Sequence, residues 1–115
     1  MTTSAIIYHN PRCNTSRTVL KAIQEAGIEP TVVKYLETPP TKDGLRKLLD
    51  DAGLTPSQAI RTKEAVYREL GLADASDEEL IAAMVDHPIL IERPIVKTDK
   101  GTVLARPADR VQDVL

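Results

Sequence analysis

Three segments follow one another within the first thirty-five residues: a short apolar run, Ala5-Ile6-Ile7-Tyr8, an amphipathic stretch from about Asn14 to Ala26, and a β-prone run, Thr31-Val32-Val33-Lys34-Tyr35. Val19, Leu20, Ile23 and Ala26 fall on one face of the middle stretch at helical spacing. Gly27 can adopt the left-handed conformation that closes a helix. Strand, helix and strand at this length form a βαβ unit, and the right-handed crossover makes its two strands parallel. The chain is committed to an α/β frame before its first third is over.

The rest of the chain must be compatible with that start. Thr41 is a good N-cap after Pro39-Pro40, and Leu45, Leu48 and Leu49 make the apolar stripe of a helix that stops near Gly53. Thr55-Pro56 opens another short helix, Lys63 to Leu70 forms another, and Ser76-Asp77-Glu78-Glu79 reads as a capping box ahead of Leu80, Ile81, Met84 and Val85. His87-Pro88 ends that helix. Short strands are then expected at Ile89-Leu90-Ile91, Ile95-Val96-Lys97 and Thr102-Val103-Leu104, with a break at Arg93-Pro94 and a turn around Asp99-Lys100-Gly101 that makes the last two a hairpin. A final helix from about Pro107 would carry Val111, Val114 and Leu115. The order β-α-β, helices, hairpin, helix predicts a single thioredoxin-like domain over 1–115. Its mixed sheet would be flanked by helices, with a helical insertion at about 41–87. In that architecture a proline before a late strand is often cis, and Pro94 is the candidate; Pro107 reads as a helix N1 proline.

Cys13, the one cysteine of the chain, sits where the first strand gives way to the first helix. Unpaired backbone N–H groups and the positive end of the helix dipole favour a thiolate there, and Arg12, Arg17 and His9 stand ready to add positive charge. The same N–H groups suit a tetrahedral oxyanion, so nucleophile and anion site would share one loop. Other chemistries fit poorly. Fifteen basic against seventeen acidic side chains, with three tyrosines and no phenylalanine or tryptophan, leave neither a phosphate-neutralising surface nor stacking platforms for nucleic acid. One cysteine and two histidines, His9 and His87, far apart in sequence, predict no metal. The absence of a signal-length or membrane-spanning apolar segment predicts a soluble, cytoplasmic protein with no membrane partner.

Arg61, Arg93 and Arg106 each stand at the edge of an element, and the latter two precede prolines, which holds their backbones extended. Guanidinium groups match tetrahedral oxyanions in planar, bidentate fashion. The segments Tyr8-His9-Asn10-Pro11-Arg12-Cys13-Asn14-Thr15-Ser16-Arg17, Tyr35-Leu36-Glu37-Thr38-Pro39-Pro40, Arg61-Thr62-Lys63-Glu64, Leu70-Gly71-Leu72 and His87-Pro88-Ile89-Leu90-Ile91-Glu92-Arg93-Pro94-Ile95-Val96 resemble, in order, the glutaredoxin-dependent arsenate reductases. The resemblance runs from about Ala5 to Leu115. It implies that Cys13 attacks arsenate, that Arg61, Arg93 and Arg106 bind the oxyanion, that His9 tunes the cysteine and that the Ser16 hydroxyl lies near the thiolate. It also implies glutathione as co-substrate, glutaredoxin as partner and no bound cofactor. Cys13-x-x-Ser16 in place of a Cys-x-x-Cys pair requires external thiols, because one cysteine cannot resolve its own adduct. Asn14 departs from the glycine that often follows the family's cysteine, and some members end in a longer C-terminal tail. Two other readings use the same fold: an Spx-like regulator that binds RNA polymerase, which usually switches through Cys-x-x-Cys, and a general glutathione-dependent thiol reductase, for which three arginines would be surplus.

Overall fold

The computed structural model describes residues 4–115, which divide into two compact units, 4–38 with 93–115 and 39–92. The first unit holds a four-stranded sheet. Strand β1 (Ala5–Tyr8) lies between β2 (Thr31–Val33), its parallel neighbour, and β3 (Ile95–Thr98), which is antiparallel to it; β4 (Gly101–Leu104) pairs antiparallel with β3 at the other edge. Helix α1 (Asn14–Glu25) is the crossover between β1 and β2. Its Val19 and Ile23 are buried with Ala5 and Ile7 of β1, Val96 of β3, and Ala105, Val111 and Val114, an entirely aliphatic cluster.

Ala26 does not extend the buried stripe. It is the exposed C-cap of α1. The helix ends because Gly27 turns left-handed, with φ +81. The Ile28 N–H then bonds back to the Ile23 carbonyl and the Gly27 N–H to that of Gln24, so the carbonyls of the last turn are engaged as the chain leaves the helix. Strand β2 is two residues shorter than expected, because the chain turns at Lys34, whose carbonyl receives the N–H groups of Glu37 and Thr38.

The final segment, expected to be α-helical, is a 3₁₀ helix over Ala108–Asp113. Val111 and Val114, both buried, are three residues apart, a spacing that matches three residues per turn. Pro107 is the residue before that helix and follows a cis peptide bond, where an N1 proline was expected; the Arg93-Pro94 bond is also cis. The segment is tied to β3 through Thr98, whose buried hydroxyl donates to the Val114 carbonyl at 2.6 Å.

The second unit is helical, with α2 (Lys42–Asp51), α3 (Pro56–Ala59), α4 (Ala65–Glu69) and α5 (Asp77–Asp86). Thr41 caps α2 by accepting the Gly44 N–H, and the Ser76 box caps α5 through reciprocal bonds with Glu79. Leu45, Leu48 and Leu49 of α2 are buried, as are Leu80, Ile81 and Met84 of α5. The expected strand at Ile89-Leu90-Ile91 is a 3₁₀ turn over Pro88–Leu90 followed by a single bridge from Ile91 to Ile60. Pro88 fixes φ and has no N–H to give a ladder, while Leu90 bonds back to the His87 carbonyl, so the run curls before it can pair. Among the described residues no helix is long and apolar enough to cross a membrane.

Candidate active site

The loop from β1 to α1 is held by its own polar groups. The His9 N–H extends the sheet by donating to the Val33 carbonyl at 2.8 Å. Asn10 then turns the chain: its side-chain oxygen accepts the Arg12 N–H and its carbonyl accepts the Cys13 N–H, each at 3.0 Å. Ser16, fully buried in the first turn of α1, ties this loop to the helix. Its hydroxyl oxygen accepts the Asn10 N–H at 3.1 Å and lies 2.6 Å from His9 Nδ1. Desolvation by burial, with smaller contributions from the charges of Lys34 and Arg17, lowers the His9 pKa. A neutral His9 accepting the Ser16 O–H at Nδ1 fits both observations. The direction of this shift works against a positive charge on His9. The Ser16 hydroxyl, expected near the thiolate, is engaged by His9 and Asn10.

Cys13 is the half-buried N-cap of α1, with extended backbone. Burial opposes its ionisation. Against this act the Ser16 N–H, the charge of Arg93, a hydrogen bond from Arg93 and the Thr15 N–H, and together they hold the thiol below its ordinary value. The sulfur closes no conventional cap hydrogen bond, so the two N–H groups act as nearby dipoles. The cation that favours the thiolate here, Arg93, is distant in sequence. Arg17 instead clamps the loop, donating to the Pro11 carbonyl at 3.0 Å and to the Asn14 side chain.

Strand register explains how Arg93 arrives. Ile95 pairs with Leu104 across the hairpin and with Tyr8 on β1. Arg93 and Arg106 each lie two residues past that last hairpin pair, and the cysteine loop leaves β1 at the same end. Arg106 Nη1 stands 3.8 Å from the Cys13 sulfur and 3.2 Å from the Arg93 carbonyl, which accepts its hydrogen bond. Arg93 is buried at Nε and Nη1. Cys13, His9, Ser16, Arg93 and Arg106 therefore form one constellation within the first unit. Arg61 belongs to the second unit, where it pairs with Glu64 at 2.9 Å and Glu92 at 3.5 Å. Among the described residues no group of three His, Cys, Asp or Glu side chains is arranged to hold a metal ion.

Two features of this region went unread in the sequence. Asn10 organises the loop, and the Asn-Pro dipeptide, a common turn signal, pointed to it. A surface cavity of about 340 Å³ also opens beside the loop, walled by residues 9–12 on one side and by Lys34, Leu36 and Glu37 on the other. No local pattern announces it, because its two walls meet only through the parallel pairing of β1 and β2.

The ArsC family model matches residues 8–114. The chain is 55% identical to an arsenate reductase of Yersinia enterocolitica over 111 residues, 95% of this chain and 79% of the relative. It is 47% identical to the uncharacterized protein YfgD of Escherichia coli (strain K12), over 100% of this chain and 99% of that one. Among solved structures, an arsenate reductase from Vibrio cholerae superposes with a TM-score of 0.94 at 43% identity, covering 100% of both chains.

Proposed function

The chain belongs to the ArsC family, and on that premise we propose that it reduces arsenate to arsenite with electrons from glutathione and glutaredoxin. The observation that carries this reading is the convergence of Arg93 and Arg106 on the sulfur of Cys13. A thiolate with guanidinium groups beside it can both hold a tetrahedral oxyanion and attack its central atom. The names of the relatives support arsenate as that oxyanion.

In the proposed sequence the Cys13 thiolate displaces one oxygen of arsenate, which leaves as water after protonation, and a sulfur–arsenic bond forms. Arg93, Arg106 and, by resemblance to the family, Arg61 offset the oxyanion charge. The thiolate of glutathione then attacks the Cys13 sulfur. A disulfide forms, the sulfur–arsenic bond breaks, and its electron pair stays on arsenic, which leaves as arsenite. Two thiols have lost two electrons and arsenic has gained two. Glutaredoxin's thiolate next attacks the glutathione sulfur and frees Cys13. His9 and Ser16 act through the loop: their hydrogen bond, with that of Asn10, fixes where Cys13 leaves the strand. No bound cofactor enters this scheme. Its need for reduced glutathione and glutaredoxin fits a cytoplasmic protein.

The test is arsenate-dependent NADPH oxidation coupled through glutathione, glutaredoxin and glutathione reductase. The wild-type protein should support it and Cys13→Ser should not. Loss of the arsenate dependence in the wild-type protein, or turnover by the serine variant, would refute the proposal.

A further inference from the structure

The cavity beside the cysteine loop has a charge pattern that an inorganic oxyanion would not use. Its walls carry two cations, Arg12 and Lys34, and one carboxylate, Glu37. Among the described residues none of the three is held in a salt bridge. Leu36, 39% exposed, and Pro11 add apolar surface between them. At about 340 Å³ the volume falls at the small end of the roughly 300–1,000 Å³ typical of small-molecule sites. One wall is the loop itself, with Arg12 immediately before Cys13.

Resting on the glutathione-dependent reading above, we propose that this cavity binds glutathione, Arg12 and Lys34 taking its two carboxylates and Glu37 its ammonium. At neutral pH the tripeptide carries two carboxylates and one ammonium, the complement of the three side chains. Arsenate or phosphate has no cationic group for Glu37 to receive, and the like charge of a carboxylate there would oppose it. The arginine pair at the sulfur and the mixed-charge cavity thus divide the two substrates between them. The loop that carries the nucleophile forms one wall of the cavity, and Arg12 in that wall is the residue next to Cys13. Lys34 also links the cavity to His9, on whose imidazole its charge acts.

The experiment is an amide chemical-shift titration with S-methylglutathione, which binds without reacting. The site predicts saturable shifts at His9, Asn10 and Arg12 and across residues 34–37. Lys34→Gln and Glu37→Gln should each weaken binding about tenfold, the scale of one partly exposed charge-assisted contact. N-acetyl-S-methylglutathione, which lacks the ammonium, should bind the wild-type protein about tenfold more weakly. The Glu37→Gln variant should bind it as well as it binds the parent compound. Shifts that avoid the cavity, or equal affinities across the variants and both ligands, would overturn the proposal. No arsenate is present, so the two readings fail separately. Glutathione-dependent arsenate turnover with an untouched cavity would refute this site and leave the reaction standing; an occupied cavity without arsenate turnover would do the reverse.

Discussion

The ionisation of Cys13 is a balance between its own burial and groups brought to it from both ends of the chain. Burial disfavours the thiolate; the N–H groups of Ser16 and Thr15 and the guanidinium of Arg93 favour it, and they win. Alkylation by iodoacetamide followed against pH should therefore give a midpoint below that of a free cysteine, about 8.5. Arg93→Gln should move the midpoint up, whereas Arg12→Gln should leave it nearly unchanged; the reverse pattern would restore the neighbouring cation as the activator. His9 offers a second titration. Its pKa is lowered, so the unfolded chain takes up a proton first as the solution is acidified. The stability His9 contributes is full above about 6.5 and is lost as pH falls toward the lowered value. The imidazole proton resonances of His9 should titrate below 6.5, and a midpoint at or above it would contradict the buried, neutral assignment. At the oxyanion site, Arg93→Lys and Arg106→Lys keep the charge and lose the planar fork. Each should lower arsenate kcat/KM by roughly ten- to a hundredfold, the worth of one charge-assisted bond of ~1.5–3 kcal/mol.

Among the elements, the junction of β1 with α1 is the one on which the chemistry depends, and Ser16 fastens it. Ser16→Ala would leave the Asn10 N–H and His9 Nδ1 without that oxygen in a buried setting, at a cost of about 1–3 kcal/mol. Thermal unfolding should show a melting temperature lower by several degrees, and an unchanged value would mean that the hydroxyl does not tie the loop. Much of this architecture was legible in the sequence. The apolar run Ala5-Ile6-Ile7-Tyr8, the stripe through Val19 and Ile23, the closing Gly27 and the Ser76 box all act locally, and each appears where its residues require. Elements whose form depends on distant partners were harder to read. Ile89-Leu90-Ile91 has strand composition but curls after Pro88, and Ile91 finds a single bridging partner, Ile60. Arg93 could be singled out by its proline, but its role as the activating cation depends on the Ile95–Leu104 and Ile95–Tyr8 registers. Sequence proximity drew attention to Arg12, Arg17 and His9, and no local pattern pointed to a cation some eighty residues away.

At the scale of the whole molecule the chain places two kinds of work in two compact units. The sheet unit carries the cysteine loop and two arginines, and the helical unit carries Arg61 between Glu64 and Glu92. Removing a cap in the helical unit should affect stability without touching the thiol. Ser76→Ala should cost about 1 kcal/mol in denaturant unfolding while the pH dependence of Cys13 alkylation stays as it was; a shifted alkylation profile would show that the cap does more than hold its helix. The central claim, that arsenate is the oxidant of Cys13 and glutathione, can be read from a single turnover. Protein, reduced glutathione and arsenate are mixed anaerobically without glutaredoxin, and the intact mass of the chain is measured. A glutathione disulfide on Cys13 should accumulate to one per chain, with one arsenite released, only when arsenate is present. An unmodified cysteine, or the same adduct without arsenate, would contradict it.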